Sequence, residues 1–266
     1  MIRHSLTLLL ALFFGFQLVS CSTPEITDET KGWSAEKLYA EARLKLDETN
    51  YEKAIIFYQK LESRFPYGRF AQQAQIEMLY AHYKDKDPAG TIAEADRFIK
   101  NHPNHPSLDY VYYLKGLANF NEDLGIFGFV SNQDMTERDP KMAKDAFDSF
   151  KQLVARFPQS KYAPDSIQRM EYLVNALASF EVHVARYYYN RKAYLATANR
   201  VQYCLKTYPE APANEEGLLL MVKSYDALGL NDLRSDAERI MIKNFPKSKY
   251  LNGSYKRDVP WWQIWN

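Results

Sequence analysis

Apolar residues recur at helical spacing along most of this chain. Ile55, Tyr58, Leu61 and Phe65, three or four residues apart, place one apolar stripe on one face of a helix. Five such runs end alike, in an aromatic residue or His followed by Pro: Phe65-Pro66, His102-Pro103, Phe157-Pro158, Tyr208-Pro209 and Phe245-Pro246. Proline has no N–H to donate and its ring clashes with the turn before it, so each of these pairs marks a helix end. Two of them extend to one phrase, Phe157-Pro-Gln-Ser-Lys-Tyr162 and Phe245-Pro-Lys-Ser-Lys-Tyr250. No strand-like alternation bounded by turn residues interrupts the pattern. It predicts ten helices, over 34–48, 50–65, 69–84, 89–101, 107–121, 139–157, 162–189, 191–208, 212–228 and 230–245.

The helices fall into pairs with a unit of about 34 residues plus insertions. In the first pair, Ala42 is followed by Tyr51-x-x-Ala54-x-x-x-Tyr58-x-x-Leu61-x-x-x-x-Pro66. This resembles the tetratricopeptide repeat, whose two helices pack through a small residue in each and end at Pro. The third pair fits with Gly116, Ala146, Phe150, Leu153 and Pro158; the second, fourth and fifth carry Thr91, Thr197 and Arg234 at the small position. An isolated pair cannot bury both of its apolar faces, so the pairs must stack. The expected fold is all-α, a right-handed superhelix (α-solenoid) of five tetratricopeptide-like helix pairs. The repeat region is 33–250, with units 33–66, 67–103, 104–158, 159–209 and 210–246.

Residues 1–20 read as an address. Arg3 is followed by the apolar core Leu6 to Leu18, too short for a membrane span, which needs roughly 20 apolar residues. Leu18-Val19-Ser20-Cys21 resembles the lipobox of bacterial lipoproteins, which implies cleavage before Cys21 and its modification by S-diacylglycerol and an N-acyl chain. Ser22 stands where Asp would favour inner-membrane retention, so the expected place is the outer membrane, lipid-anchored, on its periplasmic face. Residues 21–32 form a lipidated linker and 251–266 a Trp-rich tail.

Charge and cysteine content narrow the function. The net charge of +1 disappears once Arg3 leaves with the leader, which excludes a nucleic-acid binder working by bulk electrostatics. Two cysteines exclude a disulfide framework; with Cys21 lipidated, Cys204 is expected to be a buried small hydrophobe. No phosphate-cradling glycine loop and no His-Glu-x-x-His motif occurs. His102 and His105 flank Pro103 and read as a turn closing a helix, and Asp85 and Asp87 beside Lys84 and Lys86 as a solvated loop. Glu181 and His183, two apart on a helix, face different ways. No catalytic residue, metal site or cofactor is expected beyond the covalent lipid on Cys21.

Binding remains. The 20 Tyr, 15 Phe and 4 Trp are abundant, and the first helix of each pair lines the concave groove. Tyr39, Arg43, Tyr80, Tyr83, Tyr110 and Tyr113 form the expected receptor surface for an extended or aromatic-ended peptide. Leu46, Ile76, Leu117 and Phe120 join them at groove positions. Packing between repeats is the competing reading for each tyrosine. Asn199 and Arg200 stand out on a helix with few other charges, whereas Arg186, Arg191 and Lys192 read as a solvated face. The insertion 121–140 carries Phe127 and Phe129, and the tail carries three of the four Trp; each marks a contact or a cap.

Phrases outside the repeat consensus carry a closer resemblance: Tyr67-Gly-Arg-Phe-Ala-Gln-Gln73, Ala95-Asp-Arg-Phe-Ile99, His105-Pro-x-x-Asp109-Tyr-Val111, Arg138-Asp-Pro140 and Asn199-Arg-Val201. With the lipobox and five repeats, the chain resembles the BamD (ComL) family, tetratricopeptide lipoproteins of the outer-membrane β-barrel assembly machinery, from Cys21 to about Lys249. The resemblance implies a non-catalytic protein whose partners are the barrel-forming subunit, accessory lipoproteins and unfolded outer-membrane protein clients. It implies docking of the barrel-forming subunit through the C-terminal repeats, at Arg200, and receipt of client C-terminal signals by the N-terminal repeats. The Trp-rich tail and the degenerate fifth repeat depart from the family pattern. The alternative is a tetratricopeptide scaffold lipoprotein organising a cell-wall or pilus complex.

Overall fold

The computed structural model describes residues 28–120 and 140–251. Cys21, the leader, most of the insertion with Phe127 and Phe129, and the Trp-rich tail lie outside them. Among the described residues there are ten α-helices and no strand. In chain order they are α1 (Ala35–Asp47), α2 (Tyr51–Arg64), α3 (Ala71–Lys84), α4 (Pro88–Asn101), α5 (Leu108–Asn119), α6 (Pro140–Arg156), α7 (Ala163–Asn190), α8 (Tyr194–Thr207), α9 (Asn214–Ala227) and α10 (Asn231–Asn244). Each expected helix is present, with ends displaced by at most a few residues.

The punctuation is physical. Phe65, His102, Tyr208 and Phe245 cap their helices in one shared conformation, φ near −130° and ψ near 60°. The Pro that follows each forbids helical ψ and drives it there. The turns inside pairs carry a left-handed residue at equivalent places: Thr49, Lys86, Lys192 and Gly229, with φ of 60°, 59°, 61° and 70°. Three N-termini, those of α1, α2 and α4, are capped by Ser34, Asn50 and Asp87, whose side chains accept from the N–H groups of Lys37, Lys53 and Gly90. Asp87 is therefore a cap, and also pairs with His82 at 2.9 Å, where a solvated loop was expected. Its carboxyl is held below the usual range, first by the Gly90 N–H.

Every helix packs on its neighbours in sequence, and α3 touches α5 as α7 touches α9. That register of alternate helices is what stacking of pairs requires. The buried residues form three clusters along the stack: Leu38, Ala54, Tyr58 and Leu61, then Leu79, Val111, Phe150 and Leu153, then Ala178, Val201, Leu218 and Met241. Thr91 and Thr197 sit at the small position fully buried, their hydroxyls donating back to the Asp87 and Ala193 carbonyls at 2.7 and 3.2 Å. Arg234, at the same position, lies in the last pair and reaches Glu238 at 3.3 Å and Asp226 at 3.7 Å. His102 and His105 both pack on Phe98 in the turn after α4, and no group of three metal-binding side chains exists among the described residues.

Gly116 shows how tightly one pair closes: a Cβ added there would collide with the Phe150 ring. A buried ring has no room to retreat, so Gly116→Ala is expected to destabilise the protein by about 1–3 kcal/mol in urea unfolding. Phe150→Leu in the same chain should recover part of that loss. Unchanged stability of Gly116→Ala would contradict the close approach.

Candidate functional site

Glu77 lies in an almost wholly apolar stretch of α3, Ile76-Glu77-Met78-Leu79, and is 6 % exposed. A carboxylate there survives only if donors surround it. Four do so. Tyr39 and Arg43 from α1 donate at 2.8 and 2.9 Å, Tyr58 from α2 at 2.6 Å, and Gln73 one turn earlier on α3 at 2.8 Å. Burial, then the bond to Glu77, pushes the Tyr39 hydroxyl up to about 12 and the Tyr58 hydroxyl higher still. Arg43 remains about half exposed, one edge on Glu77 and Asp47 at 3.9 Å.

Beside this network opens a cleft of about 440 Å³ lined by Arg43, Leu46, Tyr51, Ile76, Tyr80, Lys84 and Tyr110, among others. Two aliphatic side chains, three tyrosines and two cations line it together with Thr49, Gln73 and the carboxylates of Asp47 and Glu77. Tyr110 has four tyrosines near enough to disfavour its phenolate, Tyr162, Tyr80, Tyr83 and Tyr113, although burial is the larger cause of its raised pKa. The Tyr113 ring stacks on Tyr162 at 4.6 Å, and its hydroxyl donates to Asp165 at 2.9 Å.

The six residues expected from the sequence are thus linked in space but unequal. Arg43, Tyr80 and Tyr110 line the cleft. Tyr39 and Tyr113 donate their hydroxyls to carboxylates of the fold, Glu77 and Asp165. Tyr83 packs against the central core, as Tyr80, Tyr110 and Tyr113 also do. Sequence reasoning missed Glu77 and Lys84. A lone acid inside an apolar helix was the available signal for Glu77.

The C-terminal half repeats the device once. Glu181 on α7 is 4 % exposed and accepts from Arg200 of α8 at 2.8 Å, while Asn199 is exposed. Arg200 is therefore half committed to a buried partner. Arg186 pairs with Glu216 through two bonds of 2.6 and 2.7 Å, and Arg191 lies over the Tyr187 ring, so neither is simply solvated. Cys204 is buried, its thiol donating to Asn214 Oδ1 at 3.2 Å, and burial pushes its pKa up to about 12.

The model of the outer membrane lipoprotein family YfiO matches residues 32–240. The chain belongs to this family. It is 43 % identical to the outer membrane protein assembly factor BamD of Neisseria meningitidis serogroup A, over 97 % of this chain and 99 % of that one. The BamD of Neisseria gonorrhoeae is 42 % identical over the same shares, and that of Vibrio cholerae 35 % over 89 % and 95 %. The family match spans all ten helices except the last few residues of α10, so the Glu77 and Glu181 networks both lie inside it.

Glu77→Ala leaves the Tyr58 hydroxyl and the inner edge of Arg43 without an acceptor. A loss of about 3 kcal/mol is expected in denaturant unfolding, and a smaller one for Glu77→Gln, which keeps one acceptor. The raised hydroxyl of Tyr39 also sets a pH dependence. Its contribution is complete below the unfolded value of about 10 and is lost as pH rises toward 12. Alkaline unfolding should therefore steepen over that window in the wild type and less so in Tyr39→Phe. Equal profiles would remove Tyr39 from the network.

Proposed function

We propose that this protein is a non-catalytic lipoprotein, anchored through lipid on Cys21 and facing the periplasm, that takes part in assembling β-barrel proteins into the outer membrane. Near-full-length identity of 43 % to an outer membrane protein assembly factor carries this reading. A barrel-forming subunit docks on its C-terminal repeats at Asn199 and Arg200, alongside accessory lipoproteins. The cleft between the first three repeats receives the C-terminal segment of unfolded clients.

The chemistry of the cleft supports the second role. Leu46, Ile76, Tyr80 and Tyr110 offer aliphatic and ring surface to an aromatic side chain. Arg43 is restrained by Glu77 before any ligand arrives, so little side-chain entropy is lost when it engages a peptide. A client-like peptide ending in Phe is expected to bind the wild type at least about tenfold more tightly than Tyr80→Ala/Tyr110→Ala, since buried aromatic anchors each contribute of order 1–2 kcal/mol. Equal affinity in a fluorescence titration sinks the cleft as receptor.

The docking role needs a variant that respects Glu181. Arg200→Glu sets a second carboxylate against a buried one and threatens the fold itself. Arg200→Ala/Glu181→Gln removes the cation and the buried charge together. This double variant should unfold close to the wild-type temperature yet lose co-purification with the barrel-forming subunit. Retained co-purification removes Arg200 from the docking surface.

A further inference from the structure

The segment ahead of α1 is fastened to the first repeat. The Asp28 carboxylate accepts from Lys60 at 2.5 Å and from Arg64, both on α2, and from the Thr30 hydroxyl at 2.7 Å. Arg64 also donates to the Thr30 carbonyl at 2.6 Å, and Thr30 is 2 % exposed. Trp33 then stacks on Phe57 of α2, with ring centroids 5.9 Å apart. Lys60 and Thr30 hold the Asp28 carboxyl far below the ordinary carboxylate range. The chain thus enters the fold at a fixed place, the C-terminal end of α2, where the Pro66 turn begins.

That turn is exposed. Tyr67 is 100 % exposed, and the exposed Arg69 holds its guanidinium 4.5 Å from the Phe70 ring centroid. The same cation-over-ring pair recurs after Pro158 and Pro246, as Lys161 over Tyr162 at 5.0 Å and Lys249 over Tyr250 at 5.4 Å. Amphipathic rings with adjacent cations suit a headgroup layer, where the ring sits at the interface and the cation meets anionic lipid. Only seven residues lead from Cys21 to Asp28, a reach of at most about 25 Å when fully extended.

We infer that the Asp28 clamp holds the Pro66 turn, centred on Tyr67 and Arg69, against anionic lipid headgroups of the membrane that carries the Cys21 lipid. This rests on the anchor reading above. A tether of this length keeps the Pro66 turn within about 25 Å of the Cys21 lipid, and the exposed Arg69 beside Tyr67 is the cation at that turn that meets anionic headgroups.

The test uses the chain from Cys21 onward, coupled through the Cys21 thiol to a maleimide phospholipid in vesicles. Cys204 is spared because it is buried with a raised pKa. Hydrogen exchange of residues 65–71 is then compared on vesicles containing phosphatidylglycerol and on pure phosphatidylcholine. Exchange about fivefold slower on the anionic vesicles is expected, the effect of roughly one surface cation. Arg69→Ser, which leaves the clamp intact, should abolish the difference with circular dichroism unchanged, and Asp28→Asn should abolish it with exchange in α1 and α2 retained. Equal exchange on the two vesicle types, or a difference that survives Arg69→Ser, overturns the contact; a difference that survives Asp28→Asn overturns the role of the clamp. Coupling is chemical, so none of these failures touches the anchor reading. That reading falls instead if Cys21 peptides from cells carry no acyl groups.

Discussion

Four donors from three helices converge on the buried carboxylate of Glu77, and the geometry of the N-terminal half depends on that convergence. An uncompensated charge at this depth costs several kcal/mol, so α1, α2 and α3 are held where Tyr39, Arg43, Tyr58 and Gln73 can all reach it. Hydrophobic stacking alone fixes how much area is buried but tolerates sliding; hydrogen bonds to one carboxylate do not. The cleft beside Glu77 is shaped by this restraint, and Arg43 lines it already oriented. Glu181 and Arg200 apply the same device between α7 and α8. Each half of the protein therefore presents an arginine that is anchored on one side and exposed on the other.

Between these two points the solenoid is ordinary packing: small residues at most helix crossings, Pro after each pair. Gly116 against Phe150, and Thr91 and Thr197 with hydroxyls turned back to their own helices, are three solutions to the same crowding. Arg234 holds the same position in the fifth pair and turns its guanidinium to Glu238 and Asp226. The exposed edges are then free to differ from repeat to repeat, and they do, at the Tyr67 turn and at Asn199.

Helices and repeats were legible because period and Pro are local properties. All ten helices lie where the apolar stripes predict them, and the shared φ and ψ of Phe65, His102, Tyr208 and Phe245 express the Pro that follows each. The candidate site was legible only in outline. Groove positions follow from repeat register, which brought Arg43, Tyr80 and Tyr110 to one cleft. Register does not say which hydroxyls are already bonded, and so Tyr39 and Tyr113 looked as available as Tyr80. Their partners, Glu77 and Asp165, are 38 and 52 residues away in sequence, beyond any local pattern. The charges around Asp87 hide its role as a cap in the sequence, and the partner of Arg200, Glu181, lies nineteen residues before it on the preceding helix, beyond any local pattern.

One measurement bears most directly on the role in barrel assembly: identification of what accompanies the tagged, lipidated protein out of gently solubilised outer membranes. Recovery of the barrel-forming subunit and accessory lipoproteins in constant proportion is the expected result. Recovery of peptidoglycan enzymes or pilus components, with no barrel-forming subunit present, would contradict it.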